Sequence, residues 1–185
     1  PERLIGARPD LVLVPTMDAR SISILARRTR LPVVALSYGE LGVYRKEALQ
    51  SLALLGALLG RQERAREILD ETDALEADLR RRVADVRRPP TAYVGGVGFK
   101  GGHGIESTEA GYPPFALVRA DNIVHKNGDG GGRHVMIDRE HLLARDPDHL
   151  FIDLNGFGLI EADLRKRPGF YHALAAVRAG HVHAL

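Results

Sequence analysis

The sequence predicts an α/β protein of two Rossmann-like lobes joined by one long helix, with the first lobe incomplete. Three observations predict it. Short apolar runs recur with helical stretches between them, first over Asp10–Ser37 and again from Thr91 to the chain end. Between these two regions lies a stretch almost without strand signal, Tyr44 to Val86. Most of that stretch carries apolar or small residues at intervals of three and four, the period of an amphipathic helix. The organisation expected is a partial N-terminal lobe over 1–43, a helical segment over 44–88 and a C-terminal lobe over 89–185.

The elements follow in order. "DLVLVP" (Asp10–Pro15) is a short apolar run ended by proline and reads as a buried strand. In "MDARSISILARRTR", Asp18 can cap a helix whose Ile22, Leu25 and Ala26 share one face. "LPVVALS" (Leu31–Ser37) is the next strand, and strand–helix–strand at this spacing implies a parallel pair. A mostly apolar helix runs to Leu59, and Gly60 punctuates it. From Arg61 to Val86 the spacing of Ala65, Ile68, Leu69, Thr72, Leu75, Leu79, Val83 and Val86 predicts one helix of roughly 39 Å. Pro89-Pro90 stop it. Beyond them, "TAYVGGV" reads as a strand, "PPFALVRA" (Pro113–Ala120) as a short helix with proline in its first turn, and "HVMID" as a brief strand. "REHLLARDP" is a short helix, "HLFIDL" a buried strand, "GFYHALAAVRAG" a helix closed by Gly180, and "HVHAL" a last strand.

Composition narrows the function classes. The chain has 185 residues, 44% of them hydrophobic, and its 26 Lys+Arg against 24 Asp+Glu leave a formal charge of +2. The basic runs Arg80–Arg82 and Arg165–Arg167 are short and flanked by acids, so they read as solvated helix faces and nucleic acid is not an expected partner. The absence of cysteine excludes disulfides, thiolate metal sites and cysteine nucleophiles. The longest apolar run, Leu52–Gly60, is about half a bilayer crossing. The chain opens without an initiator Met, so it is expected to be an internal part of a longer product.

"YVGGVGFKGGHGIEST" (Tyr93–Thr108) carries six glycines, and Gly96, Gly98 and Gly101 spell the dinucleotide fingerprint. That fingerprint requires a helix directly after the glycines, to receive the pyrophosphate. Here "IESTEAGYPP" follows, polar and without helical period. Lys100 is followed by Gly101, so the phosphate loop of nucleotide-binding ATPases is not spelled either. What remains is a wide loop at the C-terminal edge of a strand, where ligands sit in open α/β sheets. A phosphate-bearing cofactor at Gly95–Gly104, in an α/β enzyme, stays open as an alternative. A regulatory module that kept the fold and lost its ligand is a third class.

The histidines divide. His181 and His183 form H-x-H in a strand, with both rings on one face, and read as surface or core residues. His134, His141 and His149 sit at element edges without ligand spacing. His103 differs: it lies among the glycines at the expected ligand edge, where an imidazole can touch a ligand or complete a metal complex.

Three stretches, "PERLIGARPDLVLVP", "LPVVALSYGELGVYRKEALQSLALLGALLGRQERAREI" and "VMIDREHLLARDPDHLFIDL", resemble the class III periplasmic substrate-binding proteins of ABC importers. With "RPGFYHALAAVRAGHVHAL" the resemblance covers nearly the whole chain. It implies a non-catalytic, periplasmic or extracytoplasmic protein that captures an iron chelate or related metal complex and hands it to a membrane permease. The permease or a lipid anchor would hold it at the membrane, and no cofactor is implied beyond the ligand. Against that family the chain lacks strand–helix units before Pro1 and a closing helix after Leu185, which would bare apolar surface and favour self-association.

The strand ends then give two sets of ligand candidates, expected to face a common cleft. Thr16, Met17 and Asp18 follow the first strand, and Ser37, Tyr38 and Glu40 the second. From the other lobe come Tyr93, Phe99, Lys100, His103 and Asn155. Aromatics would pack the organic faces of a chelate, and Lys100 would offset carboxylate or catecholate charge. The alternatives are strand-edge packing for Tyr38 and Tyr93 and a solvated loop cation for Lys100. The resemblance also places one permease-docking glutamate on each lobe, Glu2 and Glu140. Each lies beside an arginine, ahead of a "PD" and a buried strand. Glutamate in the first turn of a helix is also favoured by the macrodipole alone.

Overall fold

The computed structural model describes residues 2–15, 17–37, 45–98, 101–124 and 133–185. The chain forms two compact units, Pro1–Thr72 and Asp73–Leu185, and the division falls inside one helix, α4 (Gln62–Arg82). The class is the expected one: parallel strands alternating with helices.

In the first unit, α1 (Glu2–Ala7) leads into β1 (Val12–Pro15), α2 (Ala19–Thr29) and β2 (Val33–Leu36). The two strands pair in parallel, Val12 opposite Val33 through Pro15 opposite Leu36. A parallel pair needs a crossover, and α2 supplies it. Asp18 caps α2 by accepting from the Ser21 N–H at 2.9 Å and the Ser21 hydroxyl at 2.5 Å. Arg30, in the left-handed region at φ 57°, ends it by donating its N–H to the Ala26 carbonyl at 2.8 Å. Helix α3 (Arg45–Leu58) lies beside the strands and leaves an apolar hollow of about 440 Å³ against Leu13, Pro15, Leu36, Leu52 and Leu55.

Helix α4 is shorter than its apolar spacing predicts: it ends at Arg82, not Val86. Arg81 and Arg82 pair with Asp78, and Arg80 with Glu76. Beyond them the chain turns: the Val83 carbonyl accepts from the Val86 N–H at 3.2 Å, and the Arg119 guanidinium donates to the carbonyls of Val83 and Ala84, at 3.3 and 2.8 Å. A distant side chain thus satisfies carbonyls that a longer helix would have bonded internally.

The second unit is built on a four-stranded parallel sheet. Its order is β5 (Asp121–Asn122), β3 (Thr91–Gly95), β7 (His149–Ile152), β8 (Val182–Ala184). Tyr93, Leu150 and Ile152 face a buried layer with Leu142, Ile160, Tyr171 and Leu174. Those four come from α6 (Arg139–Arg145), α7 (Phe157–Lys166), α8 (Pro168–Ala173) and the residue after it. Ala92 and Val94 face the other way, onto Phe115 of α5 (Pro113–Leu117). Central strands buried on both faces read as apolar runs, as here.

Three expectations change in this unit. The polar stretch after the glycines is not all loop: β4 (Ser107–Ala110) pairs antiparallel with β6 (Arg133–Met136) in a ribbon outside the main sheet. β6 stops short of Asp138, which caps α6 by accepting from the His141 N–H. Helix α7 falls in a stretch left unassigned above, and the helix expected over Gly169–Gly180 is two, α8 and α9 (Ala175–Arg178), broken at Leu174.

A reciprocal clamp joins the starts of β3 and β7. Thr91 donates its N–H and its hydroxyl to the Asp148 carboxylate, both at 2.8 Å, and Asp148 returns its own N–H to the Thr91 oxygen at 2.9 Å. These bonds hold the Asp148 carboxyl below its ordinary range. The folded state therefore binds this proton less readily than the unfolded chain, so the clamp's contribution is present above about pH 4 and fades as the pH falls further. Asp148→Ala is expected to lower Tm by roughly 2–4 °C at neutral pH, given the exposure of the carboxylate. Thermal unfolding at pH 7 and pH 3 tests it: the gap between variant and parent should close in acid.

Candidate functional site

The strand ends of the second unit converge where two backbone segments cross. After β3 the chain turns at Gly96, with φ +80°, and after β7 it turns through Asp153–Gly156. The Asp153 N–H donates to the Gly95 carbonyl at 2.9 Å. A Cβ on Gly156 would lie 2.4 Å from the His103 carbonyl oxygen and 2.5 Å from Gly96 Cα. Only glycine permits that approach.

The far side of the glycine loop is pinned from below. Tyr93 donates its hydroxyl to the Ile105 carbonyl at 2.6 Å, and Ile105 is itself buried. The Ser107 hydroxyl donates to the Val97 carbonyl at 2.6 Å. A hydroxyl has one proton, so the 2.8 Å bond between Ser107 Oγ and His134 Nε2 is donated by the imidazole. Desolvation, helped by His103, holds the His134 pKa below its ordinary value and keeps that ring neutral at pH 7. Beneath, Arg139 pairs with Glu106 and, at 3.1 Å, with Asp163, while the Tyr171 hydroxyl donates to Asp163 at 2.9 Å. The loop is thereby anchored to α6, α7 and α8.

The candidates fall into distinct places. His103 is half-buried on the loop, its ring 5.6 Å from that of His134. Asn155 is exposed beside them, with its N–H and its side-chain amide both donating to Asp153 at 2.8 Å. Tyr93 has no exposed surface and belongs to the core, so the packing reading is the one the structure supports. In the first unit, Met17 is exposed, and Asp18 is engaged as the α2 cap. Ser37 follows β2 and donates its N–H to the Ser51 hydroxyl at 2.9 Å. Thr16, Tyr38, Glu40, Phe99 and Lys100 lie outside the described residues. Glu2 and Glu140 are both exposed, in the first turns of α1 and α6.

Sequence reasoning missed two features. His134, set aside above as an element-edge residue, stands beside His103 because β6 pairs with β4. Leu154, Phe157 and Leu159 are exposed next to Asn155 and give this edge an apolar rim. Their proximity to a strand end in "IDLNGFGL" was the available signal. Among the described residues no group of three or more His, Asp or Glu side chains could hold a metal ion, and no helix is long and apolar enough to cross a membrane.

A family model described as periplasmic binding protein matches residues 1–185. The chain belongs to this family. It is therefore an extracytoplasmic solute-binding protein and not an enzyme, and the cofactor-enzyme alternative is set aside. No curated protein matches the chain. Among solved structures, a possible iron-binding periplasmic solute-binding protein from Staphylococcus epidermidis is 19% identical, with a TM-score of 0.70 over 100% of this chain and 70% of that one. The molybdate periplasmic binding protein MolA of a Haemophilus influenzae ABC transporter is 16% identical, with a TM-score of 0.75 over 100% and 60%. The periplasmic vitamin B12 binding protein BtuF of Vibrio cholerae is 17% identical, with a TM-score of 0.65 over 100% and 68%. The chain thus has the two-lobed fold of these periplasmic binding proteins.

Proposed function

We propose that this periplasmic binding protein captures a ferric chelate, a siderophore complex or a related metal complex, at the C-terminal ends of its strands. One observation carries the reading: His103 of the glycine loop stands beside His134 of β6, and the apolar Leu154, Phe157 and Leu159 flank Asn155 at the end of β7 and the start of α7. Imidazoles suit a coordinatively open iron, and apolar side chains suit the organic skirt of a chelator. The iron-binding description of the Staphylococcus epidermidis relative supports the same choice. In the second unit Asn155 would contact the ligand, with Phe99 and Lys100 as further candidates there; Thr16, Met17, Asp18, Ser37, Tyr38 and Glu40 are the candidates of the first unit. Delivery would be to an ABC importer; the Haemophilus influenzae protein is described as the cognate binding protein of an ABC transporter, which supports this reading.

Glu2 and Glu140 would dock the permease. Their settings repeat: each lies in the first turn of a short helix that ends at a left-handed residue, Arg8 at φ 47° and Asp146 at φ 37°. Each helix is then followed by Pro-Asp and a strand. Two exposed carboxylates in equivalent settings could set register and speed encounter with a basic partner.

Equilibrium titration with ferric siderophores, haem, vitamin B12, molybdate and nicotinamide or adenine nucleotides tests the ligand. Saturable binding of a ferric chelate at micromolar Kd or tighter is expected. Saturable binding of vitamin B12, molybdate or a nucleotide, with every ferric complex excluded, would reject the iron reading.

A further inference from the structure

We propose that the stacked rings of His149, His181 and His183 make the seam between β7 and β8 a proton-operated latch, closed while the rings are neutral and opened when more than one of them is charged. The latch does not depend on the chelate reading. It arises because β8 lies beside β7 in parallel, with Phe151 opposite His183. Side chains alternate along a strand, so His149 and Phe151 share a face of β7, and His181 and His183 share the matching face of the last segment.

Rings bridge the seam. Those of His149 and His181 lie flat on one another, with centroids 4.7 Å apart and planes within 10°. The His183 ring is 5.6 Å from that of His149 and 5.0 Å from that of Phe151. His149 Nδ1 lies 3.3 Å from His183 Nε2. One of these nitrogens must donate and the other accept, so the bond needs at least one neutral ring. A first proton on the pair is tolerated, because a charged ring donates to a neutral one. A second leaves two N–H donors facing each other, on like charges. His181 Nδ1 is 3.1 Å from the Asp148 carbonyl, which only accepts, so this bond is the same for the neutral and the charged ring. Protonation of His181 adds only a charge stacked against His149.

The groups facing His149 set the direction of the response. His181 stands ahead of β8 and His183 within it, while Asp148 precedes His149 on its own segment. Ala92 of β3, opposite His149 in register, is uncharged. Arg178 of α9 is turned to Asp146 and to the carbonyls of His172 and Ala173. Desolvation first, then the charges of His181 and His183, hold the His149 pKa below its ordinary value, and Asp148 opposes them only in part. The Asp148 carboxylate is itself engaged by Thr91. The folded chain thus takes this proton less readily than the unfolded one. The seam's stability is full above about pH 6.5 and declines as the pH falls below it. What opens is the backbone pairing. Leu150 donates its N–H to the His181 carbonyl at 3.0 Å, Leu185 to Ile152 at 2.9 Å and Leu154 to Leu185 at 3.2 Å. Leu154 belongs to the apolar rim beside Asn155, so acid also loosens that rim from the β8 side.

The test is amide hydrogen exchange on the full chain, followed by NMR at about pH 7.5 and about pH 5 and corrected for intrinsic exchange. Protection of Leu150, Leu154 and Leu185 should fall by roughly ten-fold or more in acid, while that of the β3 amides holds. The His149 ring signal should titrate below the ordinary histidine value. His181→Phe with His183→Phe keeps flat rings in the seam and removes two of its three titrating groups. In that variant the acid loss should shrink to under about three-fold, and His149 should titrate nearer its ordinary value. His183→Gln alone gives a second reading should the phenylalanines disturb the seam, and its acid loss should be smaller than the parent's. A loss as large in these variants as in the parent overturns the latch. So does a parent whose seam protection is unchanged by acid, or falls only together with that of β3.

Discussion

Gly156→Ala is expected to lower the Tm of the protein by roughly 5–10 °C and to abolish capture of its solute. The added Cβ would meet the His103 carbonyl oxygen at 2.4 Å and Gly96 Cα and carbonyl oxygen at 2.5 Å. None of these atoms is the end of a flexible side chain, so the two strand-end segments would have to move apart. Overpacking of this kind costs about 1–3 kcal/mol, and at this chain length each kcal/mol is worth about 2–4 °C. The backbone conformation is not the difficulty, since Gly156 has φ −98° and ψ −6°. Gly158→Ala is the control. It lies two residues on, inside α7, with nothing within 4 Å of the added carbon, and should stabilise by a few tenths of a kcal/mol up to about 1. Calorimetric unfolding of the two variants should move in opposite directions. Equal, small shifts would mean that the crossing yields without cost.

The second large effect belongs to the importer. Glu2→Arg with Glu140→Arg, in the protein at its natural full length, should abolish stimulation of the transporter ATPase while chelate affinity stays unchanged. Both carboxylates are exposed and stand in the first turn of their helices. Reversal places a positive charge at each helix N-terminus, which the helix dipole disfavours. The pair Glu2→Gln and Glu140→Gln separates that cost from docking. A docking role predicts graded loss, partial for the neutral pair and complete for the reversed one. Stimulation that survives double reversal would leave these glutamates as helix-end residues.

The parallel pair β1–β2 was legible because its apolar runs are short, bounded by proline and bridged by a stretch with a visible cap. The end of α4 was not, because the apolar period continues to Val86 while Arg119, far along the chain, takes the carbonyls of Val83 and Ala84. Strand β4 hid in polar "STEA", since its ribbon with β6 depends on pairing rather than on hydropathy. Tyr93 shows the limit at the site itself. Alternation along a strand buried on both faces cannot tell a ligand-facing ring from a core ring. The histidines show another: His149, His181 and His183 become neighbours only once β8 is known to lie against β7.

The bond from the Tyr93 hydroxyl to the Ile105 carbonyl ties one anchor of the glycine loop to a single proton. Burial pushes that phenol well above its ordinary range, so the folded chain keeps the proton under conditions in which an exposed tyrosine would release it. The unfolded chain has no such hold, and stability linked to this group declines as the pH climbs past the ordinary phenol value near 10. Strong alkali is thus the chemical condition that undercuts the loop from the core side.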